Sequence, residues 1–105
     1  GIKKEFSTER VAAHGDGKKT VGRVARFCGA GGEERAVAFA KRNGADVIVS
    51  ADFKHHVITC AVEPGLSVIA LTHCASENYG FEKYYEKIRR QIEVPCVFHT
   101  DRELL

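Results

Sequence analysis

A histidine and a glutamate four positions apart, in His73-Cys74-Ala75-Ser76-Glu77, are the pair in this sequence best suited to hold a metal ion. Residues at that spacing share one face of a helical turn. An imidazole nitrogen and a carboxylate oxygen can then reach one divalent cation, and this mix of donors suits zinc, manganese or iron. The spacing fits equally a surface histidine near a helix cap with Glu77 solvated. A catalytic ion also needs about three protein ligands and an open position. A second group lies upstream, in Ser50-Ala51-Asp52-Phe53-Lys54-His55-His56. Asp52 and a histidine there supply further donors, or Lys54 holds an anionic substrate. Taken alone, Asp52 suits better an N-cap of the helix that follows. Gly29-Ala30-Gly31-Gly32 joins a strand to a helix start, a place where backbone N–H groups can cradle phosphate. It matches neither GxGxxG nor a Walker loop, and Glu33 and Glu34 in the first turn would repel an anion. A tight turn that lets a neighbouring loop or ligand come close is the better reading. Cys74 has no evident base beside it and reads as a spectator thiol.

The elements that must carry these groups follow from periodicity. Glu9–Ala13 and Val21–Cys28 read as extended runs around Asp16-Gly17, a strong hairpin turn signal. Glu33–Asn43 places Ala36, Val37 and Ala40 on one helical face with Phe39 alongside, and Gly44 suits its C-cap. Ala45–Ala51 and Ser67–Leu71 are short apolar runs typical of buried strands. Between them His55–Val62 predicts a helix stopped at Pro64-Gly65. Thr72–Gly80 reads as a polar loop or a single helical turn, Phe81–Ile92 as an amphipathic helix carrying Tyr84, Tyr85, Ile88 and Ile92, and Pro95–His99 as a last strand.

The resulting order, ββαβαβαβ, predicts a single α/β domain over residues 1–105 of three-layer type. Its sheet is mostly parallel, with an N-terminal hairpin and helices on both faces. In open α/β sheets ligands bind beyond the carboxyl ends of the strands. Four of the five histidines, His55, His56, His73 and His99, fall in or beside the loops at that edge.

Bulk properties set the limits. The chain has 105 residues, of which 44% are hydrophobic, enough for one core and too apolar for wholesale disorder. A net charge of +2, with Lys18-Lys19 and Arg89-Arg90 scattered rather than striped, indicates no nucleic-acid partner. The four cysteines, Cys28, Cys60, Cys74 and Cys96, form no CxxC pair. Three of them lie in or beside apolar runs, where reduced, buried thiols are common. With no leader and no membrane-length apolar run in view, the expected location is the cytoplasm, with no membrane partner. There is no methionine even at position 1, so Gly1 reads as a cleavage remnant or as the start of a piece of a longer chain.

Three segments together resemble the Nif-three-like dinuclear-metal-centre family, often named type-2 GTP cyclohydrolase I. They are Arg23–Gly32 (RVARFCGAGG), Gly44–His56 (GADVIVSADFKHH) and Thr72–Glu77 (THCASE). The resemblance runs from about Arg10 to the C-terminus, and the order and spacing of the three is more specific than any one alone. Ser50-Ala51 stands where the family has Thr-Gly, and Thr72 where it has glycine before the histidine. The resemblance implies that His73 and Glu77 are ligands of a two-metal site. Asp52, Lys54 and His56 lie near it, as substrate contacts or a second tier of the metal site. It further implies that this chain corresponds to the C-terminal half of longer proteins, whose N-terminal half supplies a His-His pair and another acidic ligand. Metal-assisted hydrolysis of the cyclohydrolase type would follow once the site is completed, and this chain alone need not retain the divalent metal. A homo-oligomer or a complementary N-terminal half is the implied partner. A non-catalytic interaction or assembly module without metal is the alternative.

Overall fold

The computed structural model describes residues 1–105. Its elements in chain order are α1 (Ile2–Glu5), β1 (Ala12–His14), β2 (Val24–Arg26), α2 (Glu34–Arg42), β3 (Val47–Ala51), α3 (His55–Val62), β4 (Ser67–Leu71) and α4 (His73–Ile88). The four strands form one mixed sheet in the order β1-β4-β3-β2. β3 lies parallel to both β2 and β4, while β1 runs antiparallel to β4. The α/β class and the mostly parallel sheet agree with the periodicity of the sequence.

All five residues of β3 are buried, and their alternation divides the core. Ile48 joins Val68 of β4 against Ala36, Val37 and Ala40 of α2 and Val57 and Ala61 of α3. Val47 and Val49 face the other way, toward Phe6, Leu71 and Tyr79 of α4. Successive strand side chains point to opposite faces, so a run buried at every position needs cover on both sides. The helices supply it as α2 and α3 on one face, α1 and α4 on the other. Each fully buried Val or Ile contributes about 1.5–3 kcal/mol.

The expected N-terminal hairpin does not form. β1 and β2 occupy opposite edges of the sheet. The turn between them is real, with Asp16 Oδ1 accepting from the Lys18 N–H at 2.9 Å. The chain then crosses under the starts of the two central strands instead of folding back. Lys19 Nζ donates to the Asp46 carbonyl at 3.0 Å and the Gly65 carbonyl at 2.7 Å. The Asp46 carboxylate accepts from the Gly22 and Arg23 N–H groups, each at 2.8 Å. Two apolar central strands each need a partner on the outer side, and one segment on each edge satisfies both ladders.

The strand expected at Pro95–His99 is likewise absent. Its aromatic residue packs on α4: the Phe98 ring centroid lies 5.2 Å from that of Tyr85 and 5.9 Å from that of Phe81. Tyr85 donates its hydroxyl to the Cys96 carbonyl at 3.0 Å, occupying an acceptor that a ladder would use. Thr72–Gly80 and Phe81–Ile92 are not separate elements either; α4 runs unbroken from His73 to Ile88. Thr72 caps it, its side chain accepting from the Ala75 N–H at 3.1 Å, and Gly80 is carried in its interior. The cysteines are free, and none is buried. Cys28 lies just beyond the end of β2, and Cys60 is an exposed position of α3. No helix is long and apolar enough to cross a membrane.

Candidate functional site

Three loops meet at the carboxyl end of the sheet. The first follows β2 and carries the glycines. Gly29, at φ +60°, lies so close to α4 that a Cβ there would stand 2.4 Å from Glu77 Oε1 and 3.3 Å from His73 Cε1. A Cβ on Gly31 would meet Phe27 Cβ at 2.4 Å and Ser50 Oγ at 2.5 Å. One on Gly32 would lie 2.6 Å from both the Ala51 carbonyl oxygen and the Phe53 nitrogen. The Gly32 N–H also donates to the Ala51 carbonyl at 2.9 Å. The glycines therefore permit close approach, as their residue type suggests.

The second loop follows β3. Asp52 adopts φ +58°, a left-handed conformation uncommon outside glycine and most tolerated by Asp and Asn. From there its Oδ2 contacts His73 Nδ1 directly. Asp52 is therefore not an N-cap; Lys54 holds that position on α3. The third loop is the start of α4. Thr72 begins the helix, so His73 and Glu77 fall in its first turns on one face, with His73 Nε2 3.0 Å from Glu77 Oε1. Ser76, only 1% exposed, ties the assembly together. Its Oγ accepts from the Gly29 N–H at 2.8 Å and donates to the His73 carbonyl at 2.8 Å. The role of Ser76 escapes the sequence reading, although the residue lies inside the motif. A small polar residue between two candidate ligands was the available signal.

The His73 imidazole thus stands between two carboxylates, one on each ring nitrogen. The hydrogen bond to Asp52 holds its pKa above the ordinary 6.5, opposed by desolvation and reinforced by the negative charges of Glu77 and Asp52. All three side chains are about half exposed, at 50%, 48% and 54% for His73, Asp52 and Glu77.

The Nε2–Oε1 separation of 3.0 Å is near that of two ligands of one octahedral ion: donors each about 2.1 Å from an ion and about 90° apart at it are about 3.0 Å from each other, and the tetrahedral angle of zinc asks for about 3.4 Å, a small side-chain adjustment. Asp52 is on the far side of the ring and cannot join them there. No three His, Cys, Asp or Glu side chains in the chain converge on one point. The donor set fits a divalent ion in chemistry and spacing but is incomplete in number.

Lys54 and His56 sit apart from this pair. They line a cleft of 520 Å³ together with Asp52, Glu33, Glu34 and Arg35, and His56 Nε2 lies 3.2 Å from Glu34 Oε1. Asp52 borders both the cleft and His73. His99 is not brought to this edge; it lines an apolar groove with Phe81, Tyr84 and Val97. That follows from the C-terminal segment packing on α4 instead of joining the sheet.

The sequence profile of the Duf34/NIF3 (NGG1p interacting factor 3) family matches residues 1–103. A Clostridium perfringens protein named GTP cyclohydrolase 1 type 2 homolog is 26% identical over 102 residues, covering 97% of this chain and 38% of its own. A Campylobacter jejuni protein of the same name is 32% identical over 78 residues, 74% of this chain and 30% of its own. A crystal structure of a Staphylococcus aureus protein superposes with a TM-score of 0.76 at 24% identity, covering 94% of this chain and 34% of that one. The chain thus spans well under half the length of each of these relatives.

Proposed function

Since the chain belongs to the Duf34/NIF3 family, we propose that it is a metal-binding domain contributing His73 and Glu77 to a dinuclear metal site that supports metal-assisted hydrolysis. The observation that carries this reading is the 3.0 Å approach of His73 Nε2 to Glu77 Oε1. The Gly29 backbone is packed against both side chains, and Ser76 fixes the turn. Zinc, manganese or iron fits the donors, and a pair of such ions supplies Lewis acidity and eases the ionisation of water.

The protein's own part is to hold the ligands and the substrate. Ser76 and Thr72 set the start of α4, and Gly29 limits where Glu77 can go. Asp52, Lys54 and His56 line the 520 Å³ cleft beside the pair, where they would contact the substrate through its polar groups. Lys54 offers three N–H donors to an anionic group. Two donors are too few for a catalytic ion, so the remaining ligands come from a complementary N-terminal half or from a second copy of the chain.

Metal content decides the matter. The wild type should bind Zn²⁺ or Mn²⁺ at a defined stoichiometry by calorimetry and elemental analysis, and His73→Ala should not. A wild type that purifies without metal, and whose melting temperature is unmoved by added Zn²⁺ or Mn²⁺, rejects the proposal.

One observation favours a second reading, that of an interaction or assembly module without metal. Phe81, Tyr84, Val94 and Val97 are 62%, 59%, 70% and 91% exposed, a concentration of apolar surface toward the end of the chain that a monomer would leave wet. The metal measurement separates the two readings.

A further inference from the structure

His73 meets a carboxylate at each ring nitrogen, and the two contacts compete for one proton when the ring is neutral. Asp52 Oδ2 touches Nδ1, and Glu77 Oε1 lies 3.0 Å from Nε2. A neutral imidazole carries a single N–H, and the nitrogen without it is the one that can ligate. If the proton sits on Nε2, the lone pair points at Asp52 and away from Glu77, and no ion can use His73 and Glu77 together.

The geometry decides the contest. Asp52 makes its contact from an unusual backbone. Its φ of +58° lies in the left-handed region, and the residue sits immediately after β3, whose last carbonyl, that of Ala51, is held by the Gly32 N–H at 2.9 Å. The Asp52 carboxylate is carried on a short side chain from backbone held by the sheet, whereas Glu77, exposed to a similar degree, reaches Nε2 on a longer side chain with one more rotatable bond to order. A strained residue in a loop that touches a candidate ligand is a common mark of function. Carboxylates that accept the second N–H of a ligand histidine orient the ring and fix its tautomer.

We propose that Asp52 is a positioning residue: it accepts the His73 Nδ1–H, fixes the neutral ring as that tautomer, and leaves the Nε2 lone pair beside Glu77. The assignment rests on the metal-ligand reading only for its consequence, since the tautomer itself is a property of the metal-free protein. It also separates Asp52 from Lys54 and His56, which share its cleft but do not touch His73.

The test is nitrogen-15 NMR of the histidine rings in metal-free protein at alkaline pH, where the ring is neutral, paired with Zn²⁺ titration calorimetry. Three proteins are compared: wild type, Asp52→Gly and Asp52→Asn. Glycine tolerates φ +58° and removes the acceptor without backbone strain. Asparagine also tolerates this backbone and keeps an oxygen that can accept the Nδ1–H. The wild-type ring is expected to show the Nδ1–H tautomer. In Asp52→Gly, Glu77 is the remaining acceptor and the proton moves to Nε2, with Zn²⁺ affinity falling about 10–100-fold. Asp52→Asn restores the Nδ1–H tautomer and most of the affinity. A wild-type ring protonated on Nε2 overturns the proposal, as does an Asp52→Gly ring unchanged from the wild type. If the tautomers behave as stated but no variant or wild type binds Zn²⁺, the proton placement stands and the metal-ligand role of His73 falls.

Discussion

Alanine at position 29 tests whether the glycine loop and α4 form one unit. Two effects follow from the structure. Gly29 has φ +60°, where an L-residue costs about 1–2 kcal/mol relative to its ordinary conformations. The added Cβ would also lie 2.4 Å from Glu77 Oε1. The Glu77 side chain is 54% exposed, so it escapes by rotating into solvent instead of storing the clash. The stability cost therefore stays close to the backbone figure, about 1–2 kcal/mol, or roughly 4–8 °C of melting temperature for each kcal/mol. What the rotation does remove is the His73–Glu77 pairing, and with it the Zn²⁺ affinity proposed above. The same substitution at Gly80 provides the control. That glycine lies inside α4 with no heavy atom within 4 Å of a built Cβ, so alanine stabilises the helix by about 0.5–1 kcal/mol. Urea unfolding of the two variants should give changes of opposite sign. A Gly29→Ala protein as stable as the wild type would refute the claim that the loop is held left-handed against α4.

Other outcomes follow from the same structure. Ile48 is fully buried at the centre of the sheet; Ile48→Ala should cost about 2–5 kcal/mol, read from the urea midpoint at unchanged slope. Zn²⁺ binding must displace the proton that Asp52 and Glu77 hold on His73, whose pKa is raised from 6.5. Affinity measured by calorimetry should therefore fall as pH drops through that raised value, with protons released on binding. In the metal-free protein the sign is the reverse: the contribution of His73 to stability is fully present below about 6.5 and is lost as pH rises through the raised folded value. Denaturation at a series of pH values, with His73→Gln as reference, checks this. The Asp46 carboxylate, lowered from 3.8 by the backbone N–H groups of Arg23 and Gly22, stabilises the fold above its unfolded pKa. That contribution disappears as pH falls through the folded value, so Asp46→Asn should lose stability at neutral pH and match the wild type in acid. Sedimentation equilibrium should show self-association that Val97→Asp weakens, since Val97 is 91% exposed in the apolar groove of the C-terminal segment.

The parts of the fold legible in the sequence are those fixed by local periodicity. β3, α3 and β4 coincide with the expected apolar runs because β-branched stretches bounded by Gly, Pro and polar residues leave little choice. The end of α2 was equally readable: Gly44 at φ +64° donates its N–H to the Lys41 carbonyl and Ala45 donates to that of Ala40, the bonding of a glycine-terminated helix. The hairpin failed for a non-local reason. Asp16-Gly17 specifies that the chain turns but not which strand each flank pairs with, and that is set by the open edges of β3 and β4. The division of α4 failed because Ser76-Glu77-Asn78-Tyr79-Gly80 has loop-like composition, whereas the cap at Thr72, the burial of Ala75 and the packing of Tyr79 on the Val47, Val49 and Leu71 cluster outweigh one helical glycine.

At the site, residue identity was readable and direction was not. His73 and Glu77 come together because four residues of helix fix their relative position. Asp52 comes to His73 because position 52 takes a left-handed backbone, and nothing in the dipeptide Ala51-Asp52 announces that. Had Asp52 kept an extended backbone it would have continued β3 and pointed elsewhere. Instead it reaches the ring from the side opposite Glu77, so three residues with metal-ligand chemistry do not amount to three ligands. The distinction matters for any reading of such motifs. Donor count in a sequence is an upper bound on coordination number, and the share that faces the ion depends on a few backbone angles. On the proposed reading, those angles leave one carboxylate for an ion and turn the other to the imidazole that would bind it. If the proposed metal reading holds, the shortfall in ligands follows from the fold, and a second chain or domain at this edge would have to supply the rest.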